Sequence, residues 1–214
     1  GHEWLATGSA DKTVQLFDLA DLDSITAIPL LPQEAGISKV IFSPDGHWLA
    51  TVTVSDTLRL WNIATIAADK TIPAAQVLSS EKDGLIAFSP NGKWLVAASN
   101  TSPNVQLYAM ESPDEHLLGG QLPGQGQGVY ALAFDITEQW LAVGGDDGSV
   151  RLWDLATVVS QLQLPQSPEL PPEQSPVASP TKKELIQVPP SYPMLKVTVR
   201  RVLSSHNGAV SALA

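Results

Sequence analysis

The dipeptide Trp-Leu occurs four times in this chain, at Trp4, Trp48, Trp94 and Trp140, spaced 44, 46 and 46 residues apart. A second large aromatic follows each one, at Phe17, Trp61, Tyr108 and Trp153, with spacings of 44, 47 and 45. A third series, Phe42, Phe88 and Phe134, is spaced 46 and 46. Together the three series take up all six Trp and all four Phe, so the large aromatics are sorted by register and not scattered. A fixed period of this length marks an array of like units, each a small piece of supersecondary structure that buries its surface against the next.

Within a unit the order is constant. A short apolar run ends in Phe, as in Val40-Ile41-Phe42, Ile86-Ala87-Phe88 and Leu132-Ala133-Phe134. A turn follows, Ser43-Pro44-Asp45-Gly46 or Ser89-Pro90-Asn91-Gly92, in which Pro presets one backbone angle and Gly permits another. The fourth unit has Asp135-Ile136-Thr137-Glu138 there, a weaker turn on paper. The second strand starts near Trp-Leu and the third ends at the second aromatic. Trp140–Leu155 shows this hairpin most clearly, with Asp146, Asp147 and Gly148 at its turn. A looser fourth strand is expected near Ser24–Leu30 or Lys70–Leu78, and helical periodicity is nowhere sustained.

Composition narrows the function. Hydrophobic residues are 43% and charged residues 16% of the 214, as in a globular protein. A net charge of −10 opposes nucleic-acid and anionic-membrane binding, both of which need clustered Lys and Arg. The absence of Cys removes disulfides, thiolate metal sites and a cysteine nucleophile, and fits a cytoplasmic protein. No apolar run approaches the ~18 residues of a membrane helix.

The pattern resembles the WD-repeat β-propeller family, whose units of about 40–45 residues form four-stranded blades ending in Trp-Asp. Trp153-Asp154 matches the signature; Phe17-Asp18 and Trp61-Asn62 are near matches, and Tyr108-Ala109 is degenerate. Ser204-Ser205-His206-Asn207-Gly208 is similar to the Gly-His opening of a further unit. The resemblance implies an all-β fold of about four antiparallel four-stranded blades in an incomplete ring. Residues 1–31 form a first blade lacking its first strand, 37–80 a second, 84–123 a third, and 128–204 a fourth. Residues 205–214 then form the first strand of another. The alignment of both ends with the middle of a unit leads to the expectation of a fragment of a longer array, with the remaining blades in the same parent chain. Closure of four blades into a small ring is the competing arrangement, since it would remove exposed strand edges.

In the family a His, a Ser or Thr, an Asp and the Trp of one blade form a structural hydrogen-bonded tetrad. Carried over by position, it falls on Thr7 and Asp11 in the first unit, Thr51 and Trp61 in the second, Asp147 and Trp153 in the fourth, and His206 at the opening of the next. No unit has all four: Phe17, Ser55, Ala97 and Val143 stand in tetrad slots, and Gln33, Ser79 and Gln125 replace the opening His. Packing of the aromatic anchors is therefore expected to carry more of the stability.

Residues 156–195 break the pattern. Nine of the seventeen prolines lie between Pro165 and Pro193, a composition that reads as a disordered loop inside the fourth blade, with its last strand resuming at Leu195–Leu203. A Pro-rich docking segment is the alternative.

No catalytic, metal or cofactor site is legible. His2, His47, His116 and His206 have no ligand spacing, and Asp146-Asp147 with Gly148 reads as a turn, short of the ligands calcium needs. The resemblance implies instead a non-enzymatic scaffold for protein or peptide partners, as the sensor or regulatory part of a larger signalling protein. The alternative is a propeller enzyme with a site on the central channel. In this family partners dock on the face bearing the loops between strands four and one and between strands two and three. Tyr130 and Asp146 occupy such slots, where the equivalents Ser38, Gly84 and Ser211, and Ala10 and Val54, are small or apolar. Tyr130 is the stronger candidate, because Tyr is enriched among residues that dominate interface energy.

Overall fold

A computed structural model describes residues 3–20, 23, 25, 27–30, 32–66, 75–79, 84–110, 119–123, 126–161 and 201–204. The described strands form four antiparallel sheets in chain order. Sheet I comprises β1 (Trp4–Gly8), β2 (Val14–Asp18) and β3 (Ala27–Pro29). Sheet II comprises β4 (Ile37–Phe42), β5 (Trp48–Thr53), β6 (Leu58–Asn62) and β7 (Gln76–Ser79). Sheet III has β8 (Leu85–Phe88), β9 (Trp94–Ala98), β10 (Val105–Ala109) and β11 (Gly119–Leu122). Sheet IV has β12 (Val129–Phe134), β13 (Trp140–Gly145), β14 (Ser149–Asp154) and β15 (Arg201–Ser204). Each strand lies beside its neighbour in sequence, so the sheets are simple meanders.

The turn after the first strand explains why each second strand begins at Trp-Leu. Ser43 Oγ accepts the Trp48 N–H at 2.9 Å, and Ser89 Oγ accepts that of Trp94 at 3.0 Å. Gly46 and Gly92 hold φ of 73° and 75°, a left-handed angle that a Cβ resists. In sheet IV, Asp135 Oδ1 accepts the Trp140 N–H at 2.6 Å and Glu138 takes the left-handed position at φ 58°. The Asp135–Glu138 segment thus makes the same turn as its glycine-containing counterparts. A carboxylate replaces the hydroxyl, and Asp135 also accepts the Thr137 N–H at 3.1 Å.

Trp-Leu recurs because adjacent strand residues point to opposite faces. Trp48 packs forward with Leu95 and Tyr108 of sheet III, while Leu49 packs backward with Val14 and Leu16 of sheet I. One unit later, Trp94 shares a cluster with Leu141 and Trp153 of sheet IV, and Leu95 faces sheet II. The dipeptide therefore bridges two intersheet cores, and every residue of β5 and of β9 is buried. Three clusters join I to II, II to III and III to IV; none among the described residues joins IV to I. The four blades form an incomplete ring, not a closed one. Leu5 of β1 is accordingly 48% exposed, whereas its counterparts Leu49, Leu95 and Leu141 are at 0%.

One element departs from the all-strand expectation. Leu155–Gln161 is a helix, α1, where the sequence suggested that a disordered segment begins at 156. Asp154 caps it, its Oδ1 accepting the Ala156 and Thr157 N–H groups at 3.1 and 3.4 Å. Leu155 and Val158, on one helical face, join the III–IV cluster. The apolar pair is too short to register as periodicity, yet burial against two sheets suffices to hold this short capped helix. Of the expected last strand at Leu195–Leu203, Arg201–Ser204 is present and pairs with β14. The rest of the Pro-rich segment, and the strand expected at 205–214, lie outside the described residues.

Candidate functional site

The first strand of sheet IV is not regular. Val129 pairs with Gly145 and Ala131 with Gly144, so Tyr130 is the extra residue of a β-bulge. Sheet II has the same irregularity at Ser38, between Ile37 opposite Thr53 and Lys39 opposite Val52. A bulge re-aims the side chain of its extra residue out of the pleat. Ser38 is small enough to fold back, its Oγ donating to the carbonyls of Val52 and Thr53 at 3.0 and 3.2 Å. Tyr130 is too large to do so and stands 37% exposed.

Its ring borders a cleft of about 400 Å³ lined by Asp56, Gly84, Leu85, Asn100, Thr101, Val129 and Tyr130. These residues come from three sheets: the β5–β6 turn of II, the start of β8 and the β9–β10 turn of III, and the start of β12 of IV. The walls are fixed where III meets IV, since the Val129 N–H donates to the Ser99 carbonyl at 2.8 Å. Asp146, the second partner-binding candidate, faces inward to its own loop. Its Oδ1 accepts the Gln127 N–H at 2.9 Å and its N–H donates to the Gly128 carbonyl at 3.1 Å. Asp146 thus shapes the loop that leads into Tyr130.

The tetrad positions divide sharply. In sheet II, Trp61 Nε1 donates to Thr51 Oγ1 at 3.1 Å, and Gln33 Nε2 donates to the same oxygen at 3.0 Å. Gln33, from the segment leading into β4, stands in the slot where the resemblance places His. Arg59 then donates from Nη1 to Gln33 Oε1 at 3.0 Å and pairs through Nη2 with Glu34. Burial alone would raise the Glu34 pKa, but hydrogen bonds from Thr57 and Arg59 outweigh it and hold the carboxyl below its ordinary value. Beside the aromatic packing, sheet II therefore carries a buried polar network with a Gln in the opening slot. Gln33 was legible by alignment, whereas Glu34 and Arg59 had no sequence signal beyond their charge.

In sheet IV the two tetrad residues are not joined to each other. Asp147 Oδ1 accepts from the Ser149 N–H at 3.0 Å, and Oδ2 lies 2.6 Å from Arg151 Nη2. The Arg151 hydrogen bond in particular holds the Asp147 carboxyl far below the usual carboxylate range. Trp153 Nε1 is buried without a hydrogen-bond partner among the described residues. In sheet III, Tyr108 sends its hydroxyl to the Leu78 carbonyl of sheet II at 3.3 Å. Asp11 of sheet I braces its own turn, accepting from the Thr13 N–H at 3.0 Å, and Thr7 is exposed. His47 lies 3.4 Å from Asp45 at the surface; His2, His116 and His206 lie outside the described residues.

The contrast between Trp61 and Trp153 makes a prediction. Thr51 lies opposite Arg59 and Val143 opposite Arg151, so Val143 occupies the register position whose hydroxyl serves Trp61. Val143→Thr is expected to give Trp153 Nε1 its acceptor and raise the unfolding free energy by about 1 kcal/mol. Urea denaturation of the two proteins checks this, and an unchanged or lower midpoint would refute it.

Among the described residues no cluster of His, Cys, Asp or Glu could hold a metal ion, and no helix is long and apolar enough to cross a membrane. The family model for the WD domain, G-beta repeat, matches residues 1–18, 30–62 and 117–154. These segments are WD repeats, and the meander sheets stacked in an arc have the β-propeller fold. The chain is similar to the WD repeat-containing protein AAC3 of Dictyostelium discoideum, 26% identical over 158 residues, covering 72% of this chain and 31% of that protein. It is likewise similar to striatin of Mus musculus, 28% identical over 150 residues, covering 60% and 18%. A third relative is the Target of rapamycin complex subunit wat1 of Schizosaccharomyces pombe, 31% identical over 99 residues, covering 46% and 29%. The chain thus spans less than a third of the length of each of these curated relatives.

In fold it is similar to a chain of the mitotic checkpoint complex, with a TM-score of 0.58 at 17% identity, covering 99% of this chain and 52% of that one. It is also similar to Chaetomium thermophilum Sqt1 bound to the N-terminus of the ribosomal protein L10, with a TM-score of 0.52 at 20% identity, covering 71% and 42%.

Proposed function

We propose that this chain is part of a non-enzymatic interaction scaffold, docking a protein or peptide partner in the cleft beside Tyr130. One observation carries the reading: a bulge holds an aromatic ring out of the sheet, at the edge of a cleft shared by three blades. An exposed Tyr in such a concave place is the kind of residue that dominates interface energy. The relatives support it in their own terms. One is named a subunit of a complex, and one fold neighbour is bound to the N-terminus of another protein. In its finer form the proposal makes the array the sensor or regulatory part of a larger signalling protein.

The test is affinity capture from lysate with the natural chain, Tyr130→Ala and Ile136→Ala. Ile136 is 85% exposed at the opposite end of β12 and serves as the surface control. Tyr130→Ala is expected to lower recovery of a specific partner about tenfold, as loss of an interface anchor does. Ile136→Ala should leave recovery intact. Recovery undiminished by Tyr130→Ala would overturn the assignment.

A further inference from the structure

We propose that the segment received by this cleft is basic: an Arg or Lys side chain, flanked by aliphatic residues, of an extended stretch of the partner. This inference rests on the cleft being the docking site and adds the chemistry of what it takes. Its centre is Asp56. The residue sits in the β5–β6 turn at φ 63°, in the left-handed slot held by Lys12 at 75° in sheet I and by Gly148 at 73° in sheet IV. Turn geometry therefore does not demand an acid there. The acids of neighbouring loops are all occupied by the fold: Glu34 by Arg59, Asp147 by Arg151, and Asp146 by the Gln127 N–H. Asp56 lines the cleft and forms no ion pair among the described residues.

The rest of the lining suits a long cationic side chain. Leu85, part-exposed at the start of β8, offers an apolar wall for its methylene stem. The Tyr130 ring offers a face on which a guanidinium gains a cation–π contact. Asn100 and Thr101, both exposed, can bond to the backbone of an extended segment. Among the described residues one cation lies at the rim, Lys39, and its ammonium is taken up by the Gly84 carbonyl. The net charge of −10 adds a long-range field that favours a basic segment over an acidic one and weakens with salt.

The experiment uses the full chain and three labelled peptides that differ only at a central position between Leu and Val: Arg, Glu or Leu. Fluorescence polarisation at low salt is expected to show binding in the order Arg, Leu, Glu. Asp56→Asn should weaken the Arg peptide by about three- to fivefold, as a half-exposed ion pair does, and leave the Leu peptide unchanged. Added salt should weaken the Arg peptide alone, and Tyr130→Ala should weaken both Arg and Leu peptides. If the Glu or Leu peptide binds as well as the Arg peptide, or Asp56→Asn has no effect, the basic-segment inference fails while the docking reading stands. If no peptide responds to Tyr130→Ala, or none binds, both fail.

Discussion

Thr51→Val is expected to lower the unfolding free energy by about 2–4 kcal/mol, although it exchanges one buried side chain for another of nearly the same shape. The single hydroxyl accepts from both Trp61 Nε1 and Gln33 Nε2, at 3.1 and 3.0 Å, and all three residues are buried. Removing it strands two donors where water does not reach, and each stranded donor costs about 1–3 kcal/mol. The loss extends further, because Gln33 would no longer be oriented to receive Arg59. Thr51→Ser keeps the oxygen and should cost only about 1 kcal/mol, for the lost methyl. A cycle with Trp61→Phe isolates the indole: Thr51→Val should be less damaging by about 1 kcal/mol when Trp61 no longer presents an N–H. Denaturant unfolding of the five proteins (the natural chain, Thr51→Val, Thr51→Ser, Trp61→Phe and the Thr51→Val/Trp61→Phe double variant) decides the matter. A Thr51→Val midpoint no lower than that of Thr51→Ser would refute the network's importance.

Gly128→Ala should be nearly as damaging and should act on the cleft as well. A Cβ at this position would stand 2.1 Å from the Asn100 carbonyl oxygen and 2.6 Å from its carbon. Both are backbone atoms, so no side chain can rotate away. The Val129 N–H bond to Ser99 holds the two strands together immediately beside the clash. Overpacking of this kind costs about 1–3 kcal/mol, corresponding to a fall in Tm of roughly 3–10 °C for a chain of this size. Relief can come only by parting sheets III and IV, which separates Asn100 and Thr101 from Val129 and Tyr130 across the cleft. Partner binding should fall with stability. Gly84→Ala is the control: nothing lies within 4 Å of its added Cβ, so thermal unfolding should barely change. Equal midpoints for the two variants would show that the blades slide past the obstacle.

The sheets were readable from residues because their determinants are local. A turn of four residues, a hydroxyl or carboxylate that accepts the Trp N–H, and a period-two alternation lie within one short stretch. Sheet IV shows the limit of reading by type: Asp135 and Glu138 look like poor replacements for Ser and Gly, yet they satisfy the same donor and adopt the same angle. Helix α1 escaped notice because two apolar residues and a capping Asp give no sustained period. Tyr130 was legible as the unusual member of its slot. Its exposure through a bulge was not, since a bulge is a property of two paired strands.

The sequence by itself determined the repeat, the class of sheet and the position of every aromatic anchor. Each Trp-Leu pair must face two ways, and only stacked sheets give both faces a core. The tertiary structure alone decided which polar slots are completed across that stack. Gln33 reaches Thr51 over eighteen residues and Arg59 reaches back over twenty-six, while Trp153 finds no acceptor among the described residues although its sequence signature is the most complete. It also decided that Asp56, Asn100 and Tyr130 meet at one cleft, because their turns come from successive sheets. Hydrogen bonds between distant segments depend on the distance and angle at which sheets stack, and no short window of sequence encodes either.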